Sequence, residues 1–345
     1  MSMSMHTHRT RRLVAVLLAL VSAVAVSLGS LAATATPARA AAPSYVALGD
    51  SYSSGTGTRS YLDDGTSCQR STYAYPSLLA AQRGYALNLR ACSGATVADV
   101  TNTQLSALGA GTSFVTISVG GNDAGFAEVL TTCAFPWWAS DCNGAINRAQ
   151  SYINNTLPGR LSTLYSSIRS RASAATVVVV GYPRIFMGED CNAGTWFSRT
   201  EQTRLNQTAD LLNSKLSAAA SARGFRFANP TSRFVGHAVC DDVEWINGLS
   251  YPISESYHPN RLGHSSGYTP VVAGQLGFAA RIGAKVLARA RASAAGQVAL
   301  QRPYAAADRS ITPESFQAPD LRSQQVRDAA AARGIDLDRW LRRHT

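Results

Sequence analysis

Three short apolar runs in this chain each stop at a cluster of small residues, and that repeat constrains the fold more than any other feature. Tyr45-Val46-Ala47-Leu48 runs into Gly49-Asp50-Ser51-Tyr52-Ser53-Ser54-Gly55. Tyr85 to Ala91 alternates apolar and polar residues and ends at Cys92-Ser93-Gly94-Ala95-Thr96. Phe114 to Val119 ends at Gly120-Gly121-Asn122-Asp123. Apolar runs of this length bounded by Gly and Ser read as buried strands that end in turns. Helical stretches separate them: one beginning at Tyr75-Pro76, with Pro early in it, one from about Val97, and a long one from about Ala145 to Arg171. Further on come a fourth strand at Thr176–Val180, a helix from Arg199 to Arg223, a weaker strand at Arg226–Ala228 and a final helix from about Thr269. The polar run between Gly55 and Tyr75 reads as disordered. Strands alternating with helices predict an α/β fold with a parallel sheet covered on both faces. In such a sheet ligands bind beyond the carboxyl ends of the strands. Ser51, Gly94 and Asn122, far apart in sequence, are therefore expected to be neighbours.

The ends of the chain differ from this middle. Arg9, Arg11 and Arg12 precede a nearly unbroken apolar stretch from Leu13 to Leu31, and Ala38-Arg39-Ala40 offers a small-x-small cleavage site. Residues 1–40 thus read as a signal peptide cut after about Ala40, which makes the mature protein secreted and extracellular. An uncleaved anchor is the weaker reading, and Arg11-Arg12 hints at a twin-arginine route. The net charge of +11 comes mostly from the two ends. Residues 41–280 hold sixteen basic and fifteen acidic side chains, with no basic stripe for nucleic acid. They suffice for one domain with a proper core. Residues 281–345 shift to Ala and Arg, interrupted by Pro303, Pro313 and Pro319, and are expected to form a basic helical tail that packs at the periphery or stays mobile.

Six cysteines follow the signal segment, and an even number in an exported chain predicts three disulfides. Sequential pairing keeps each bridge local: Cys68–Cys92, Cys133–Cys142 and Cys191–Cys240. No Cys-x-x-Cys or His-x-x-x-His spacing occurs, so neither a metal site nor a cofactor is expected.

The chemistry centres on Ser51. A serine hydroxyl attacks an acyl carbon only with a base to take its proton and donors to hold the oxyanion. His258, in the late loop Ser256-Tyr257-His258-Pro259-Asn260, is the candidate base. Glu255 or the Ser256 carbonyl would bond its far ring nitrogen and fix the tautomer. The Ser51 N–H, the Gly94 N–H and the Asn122 side-chain amide are the candidate oxyanion donors. A competing Gly-x-Ser-x-Gly pattern, Gly263-His264-Ser265-Ser266-Gly267, lacks the preceding strand and the later acid and histidine that such a nucleophile needs.

Gly49-Asp50-Ser51, Gly94 after Cys92-Ser93, Gly120-Gly121-Asn122-Asp123 and His258-Pro259 together resemble the four blocks of the SGNH (GDSL-type) hydrolases. The likeness spans roughly residues 41–280 and is greatest to secreted bacterial lipases and A-type phospholipases. It implies a flavodoxin-like three-layer fold with strand order 2-1-3-4-5. It also implies ester hydrolysis through an acyl-enzyme, with Ser51 as nucleophile, His258 as base and Gly94 and Asn122 joining Ser51 in the oxyanion hole. Tyr52 replaces the Leu of the short motif, and Glu255 stands where many members have Asp three before the His. That leaves a Ser–His dyad supported by the Ser256 carbonyl as the favoured arrangement, with Glu255 second. The expected substrates are lipid or other acyl esters, met by a monomer in transient contact with a lipid interface, and Phe135-Pro136-Trp137-Trp138 either lines an acyl groove or packs beneath its loop. The alternatives are a carbohydrate acetyl esterase and an inactive envelope-binding module.

Overall fold

The chain builds a five-stranded sheet in the order β2-β1-β3-β4-β5, with every neighbouring pair parallel. The strands are β1 (Ser44–Gly49), β2 (Ala86–Leu89), β3 (Thr112–Ser118), β4 (Thr176–Val180) and β5 (Arg226–Ala228). This computed structural model describes residues 41–313 and 315–344, so the signal-peptide reading of residues 1–40 lies outside the described residues. In β4 four successive valines are buried, and since successive side chains point to opposite faces, helices must cover the sheet on both sides. That is the three-layer α/β arrangement the sequence predicts.

The helices that matter for the site are α1 (Ser51–Ser54), α2 (Tyr75–Arg83), α3 (Phe126–Cys133), α4 (Cys142–Asn155), α5 (Leu157–Arg171), α6 (Arg199–Ser221) and α7 (Thr269–Gln275). The single long helix expected from Ala145 to Arg171 is two, α4 and α5, divided at Thr156. Pro158 explains the break: it has no N–H to give and its ring clashes with the preceding turn, so it is tolerated only in the first turn of a new helix. Helix α6 begins where its sequence says it should. Ser198 accepts from the Glu201 N–H, and the Glu201 carboxylate accepts from the Ser198 N–H in return, forming a capping box.

The three disulfides pair as the spacing suggests, Cys68–Cys92, Cys133–Cys142 and Cys191–Cys240. The first ties the polar run after α1 to the loop after β2. That run is ordered rather than disordered: Cys68, Arg70 and Ser71 are buried, and the Ser93 N–H donates to the Cys68 carbonyl.

Beyond residue 280 the chain forms α8 (Ala284–Ala292), α9 (Ala294–Gln301), α10 (Ala305–Asp308), α11 (Gln324–Ala332) and α12 (Leu337–His344). Helix α8 packs on α2 and α9 on β2. Asp308 is fully buried and accepts from two guanidiniums of the sheet region, Arg70 Nη2 at 2.6 Å and Arg90 Nη2 at 2.6 Å. Helices α11 and α12 close a second apolar cluster over Trp138, where the Trp138 and Trp340 ring centres are 5.3 Å apart. Residues 42–345 thus cluster as one unit.

Candidate active site

Strand β1 ends at Gly49, and the next two residues set up the site. Gly49 has φ +120°, and a Cβ there would stand 2.2 Å from the Ser118 carbonyl oxygen, so only glycine lets the ends of β1 and β3 come this close. The Gln104 side chain clamps Gly49 from both sides, accepting from its N–H at 2.7 Å and donating to its carbonyl at 2.9 Å. Asp50 then caps α1: Oδ1 accepts from the Tyr52 N–H at 3.0 Å and from the Ser118 hydroxyl at 2.7 Å, while Oδ2 accepts from the Tyr182 hydroxyl. Burial pushes the Asp50 carboxyl up to about 6 against the pull of those donors. Ser51 sits on the first turn of α1, directly beyond the sheet, and is almost wholly buried.

The late loop meets it there. His258 Nε2 lies 2.9 Å from Ser51 Oγ, and His258 Nδ1 lies 2.9 Å from the Ser256 carbonyl oxygen. A carbonyl can only accept, so Nδ1 carries the proton and Nε2 is left bare to take one from the serine hydroxyl. Burial lowers the imidazole to about 4, opposed by the Ser256 hydrogen bond, so the ring is neutral near pH 7. Tyr257 holds the loop with a positive φ of 61°, and its carbonyl accepts from the Tyr52 hydroxyl at 2.8 Å. Gly57 permits the approach, since a Cβ there would stand 3.0 Å from His258 Cβ and 2.6 Å from the Pro259 carbonyl oxygen.

Glu255 faces elsewhere. Its Oε1 accepts from the Tyr61 hydroxyl at 2.6 Å and its Oε2 from Arg59 Nε at 3.3 Å. The partner of the ring is the Ser256 carbonyl, the first of the two arrangements the sequence leaves open.

Gly94 and Asn122 are drawn to the same edge. Two residues before Gly94, the Cys92 N–H donates to the Gly49 carbonyl at 2.9 Å, and Gly94 itself adopts φ +83°. Asn122 Nδ2 donates to the Ala95 carbonyl at 3.0 Å, which ties the β3 loop to the β2 loop and leaves a second amide hydrogen on the same nitrogen. Beneath the site, Tyr52, Gly121, Phe126, Leu130, Tyr182 and Leu205 contribute to an almost wholly apolar cavity of about 70 Å³. The Gly263–Gly267 segment is part of a π-helical turn that leads into α7, with no strand before it. His264 there is buried and accepts from the Tyr75 N–H, which makes it a packing residue. Trp138 lies under its loop, and Trp137 beside it is 71% exposed.

Several supports of the site have no signal in the sequence: Ser118 and Tyr182 are polar residues in or beside apolar stretches, and Gln104 sits in an ordinary polar run, Thr101-Asn102-Thr103-Gln104. Cys191, Cys240 and Glu244 stand close enough to hold a cation, but the disulfide between the two cysteines removes both thiolates as ligands.

With this geometry in view the comparisons are specific. A sequence model of the GDSL-like Lipase/Acylhydrolase family matches residues 47–265. Lipase 1 of Streptomyces coelicolor is 44% identical over 269 residues, covering 77% of this chain and 99% of its own. The lipase of Streptomyces rimosus is 44% identical over 246 residues, 71% of this chain and 90% of its own. Among solved structures, phospholipase A1 from Streptomyces albidoflavus superposes with a TM-score of 0.65 at 43% identity, matching all of that chain and 68% of this one. The extracellular lipase of Streptomyces rimosus gives 0.64 at 41% identity, with the same coverage. The chain belongs to the GDSL-like lipase/acylhydrolase family, the SGNH ester hydrolases.

Proposed function

We propose that this protein is an exported serine esterase of the lipase and phospholipase A type that works through an acyl-enzyme on Ser51. The observation that carries the reading is the relay from the Ser51 hydroxyl through His258 to the Ser256 carbonyl. In the first step Ser51 Oγ bonds to the ester carbon as its proton passes to His258 Nε2. The carbonyl oxygen becomes an oxyanion held by the Ser51 and Gly94 N–H groups and by the free hydrogen of the Asn122 amide. The Ser256 carbonyl stabilises the imidazolium through Nδ1–H. Collapse breaks the bond to the alcohol, which leaves with the proton from Nε2. Water then attacks the acyl-enzyme, giving its proton to the same nitrogen, and collapse frees the carboxylic acid and restores Ser51.

The apolar cavity under Tyr52 and Phe126 suits a hydrocarbon acyl group rather than a sugar. The names of the relatives, lipase and phospholipase A1, point the same way. Exposed Trp137 is the side chain for passing contact with a lipid surface. Ser51→Ala should lower kcat on p-nitrophenyl butyrate about 10³-fold or more while the fold survives; turnover near that of the unaltered protein removes Ser51 from the mechanism. Within a p-nitrophenyl series, a rate that survives only for acetate would favour the carbohydrate acetyl esterase reading instead.

A further inference from the structure

The family match ends at residue 265, yet residues well past it lie against the site. Pro313 packs on Gly94: a Cβ built on that glycine would stand 2.5 Å from Pro313 Cα and 3.1 Å from the Thr312 carbonyl oxygen. Phe316 is buried, with its ring centre 4.9 Å from that of Tyr257, the residue before His258. The Gln317 N–H donates to Thr131 Oγ1 at 2.9 Å on α3. One stretch of chain therefore touches the loop carrying Gly94, the loop carrying His258 and the helix that lines the apolar cavity.

Both flanks of this stretch are fixed. Upstream, Asp308 is buried between Arg70 and Arg90, and Arg90 also donates to the Gln301 side chain at 2.7 Å and stacks on the Tyr304 ring at 4.0 Å. Downstream, α11 and α12 enclose Trp138, with Trp340 between Trp138 and Trp196. Pro313 and Phe316 thus stand between two anchored flanks, as a fixed wall of the site would.

We propose that Pro313 and Phe316 determine the size of ester this site accepts, narrowing the lipase and phospholipase A reading to slim, single-chain members of that ester class over diacyl ones. The inference rests on Ser51 as nucleophile and adds a substrate preference to it. The physical basis is steric. Backbone atoms of Thr312 and Pro313 against Gly94 and the Phe316 ring against Tyr257 fill the space beside those two loops, and close packing resists the entry of bulk there.

The test compares kcat/KM on p-nitrophenyl acetate and on dibutyrylphosphatidylcholine, both monomeric in solution so that no interface enters. It uses the full chain and a Pro313→Gly, Phe316→Ala double variant. The ratio of bulky to small substrate should rise about tenfold or more in the variant, the scale on which pocket size discriminates between substrates. An unmoved ratio, or a parallel change on both substrates, overturns the wall. If Ser51→Ala hydrolyses p-nitrophenyl acetate as well as the unaltered chain does, the reading of the site fails and the wall with it. Loss in Ser51→Ala with an unmoved ratio defeats the wall alone. Should the double variant not melt cooperatively, Phe316→Ala by itself removes the ring and keeps Pro313 and both anchors, and its ratio is read in the same way.

Discussion

At the scale of single residues, the site is decided by which groups can only accept a proton and which can only give one. The Ser256 carbonyl fixes the His258 tautomer without any carboxylate, and burial keeps the ring neutral. With His258 as the proposed base and burial pushing its imidazole down to about 4, kcat/KM should hold as pH falls through 6.5 and drop only as it nears 4. A pH profile of p-nitrophenyl ester hydrolysis checks this. A midpoint near 6 would assign the acid limb to Asp50 instead, whose carboxyl burial pushes up to about 6. That Ser51, Gly94 and Asn122 come to one edge of the sheet was legible because each stands in a short polar loop after an apolar run, whereas His258 stood out only as a histidine in a late polar loop. Asp50 was legible as a neighbour of Ser51, but its bonds to Ser118 and Tyr182 were not. Nothing in linear spacing links positions 68 and 132 residues away, and a tyrosine or serine inside a strand pattern looks like packing. Glu255 misleads for a related reason. Three residues before a histidine it looks like a triad acid, and only the fold reveals Tyr61 and Arg59 as its partners.

At the scale of elements, local chemistry was readable wherever a rule acts over a few residues. The parallel strands, the capping box of α6 and the nearest-neighbour disulfides are of this kind. The division between α4 and α5 was also written in Pro158, though the apolar period running through it hides the break. The helices after residue 280 are different. Their Ala/Arg composition gives helical propensity without saying what they cover, and isolated helices this short are marginal in water. What fixes the first of them is packing on α2 and β2 and Asp308, held by side chains 238 and 218 residues earlier in the chain, while α11 and α12 are held by the cluster over Trp138. Asp308→Ala strands Arg70 and Arg90 with less compensation in a dry site. It should cost about 3–5 kcal/mol in urea unfolding; a loss under about 1 kcal/mol, the scale of a surface pair, would mean the cluster is effectively solvated.

For the whole molecule, the alternation of strands and helices gave the α/β class, while the order of the strands came from the resemblance rather than from the pattern. The proposed export adds a prediction at this scale. Intact mass of the protein from culture medium should match a chain beginning near Ala41, and a mass that includes residues 1–40 would instead support a retained anchor.

The shared carboxylate of Asp308 also orders events in time. A polypeptide made from its amino end exposes Arg70 and Arg90 long before their counter-ion is synthesised. Until the last tenth of the protein emerges, Arg70 has only Asp64, 2.7 Å from its Nη1, and Arg90 lacks its Asp308 carboxylate, so burying the β2 side leaves guanidinium charge poorly compensated. Premature closure is thereby discouraged. By the same logic, any protease that trims the carboxyl end past position 308 returns the molecule to that unfinished condition.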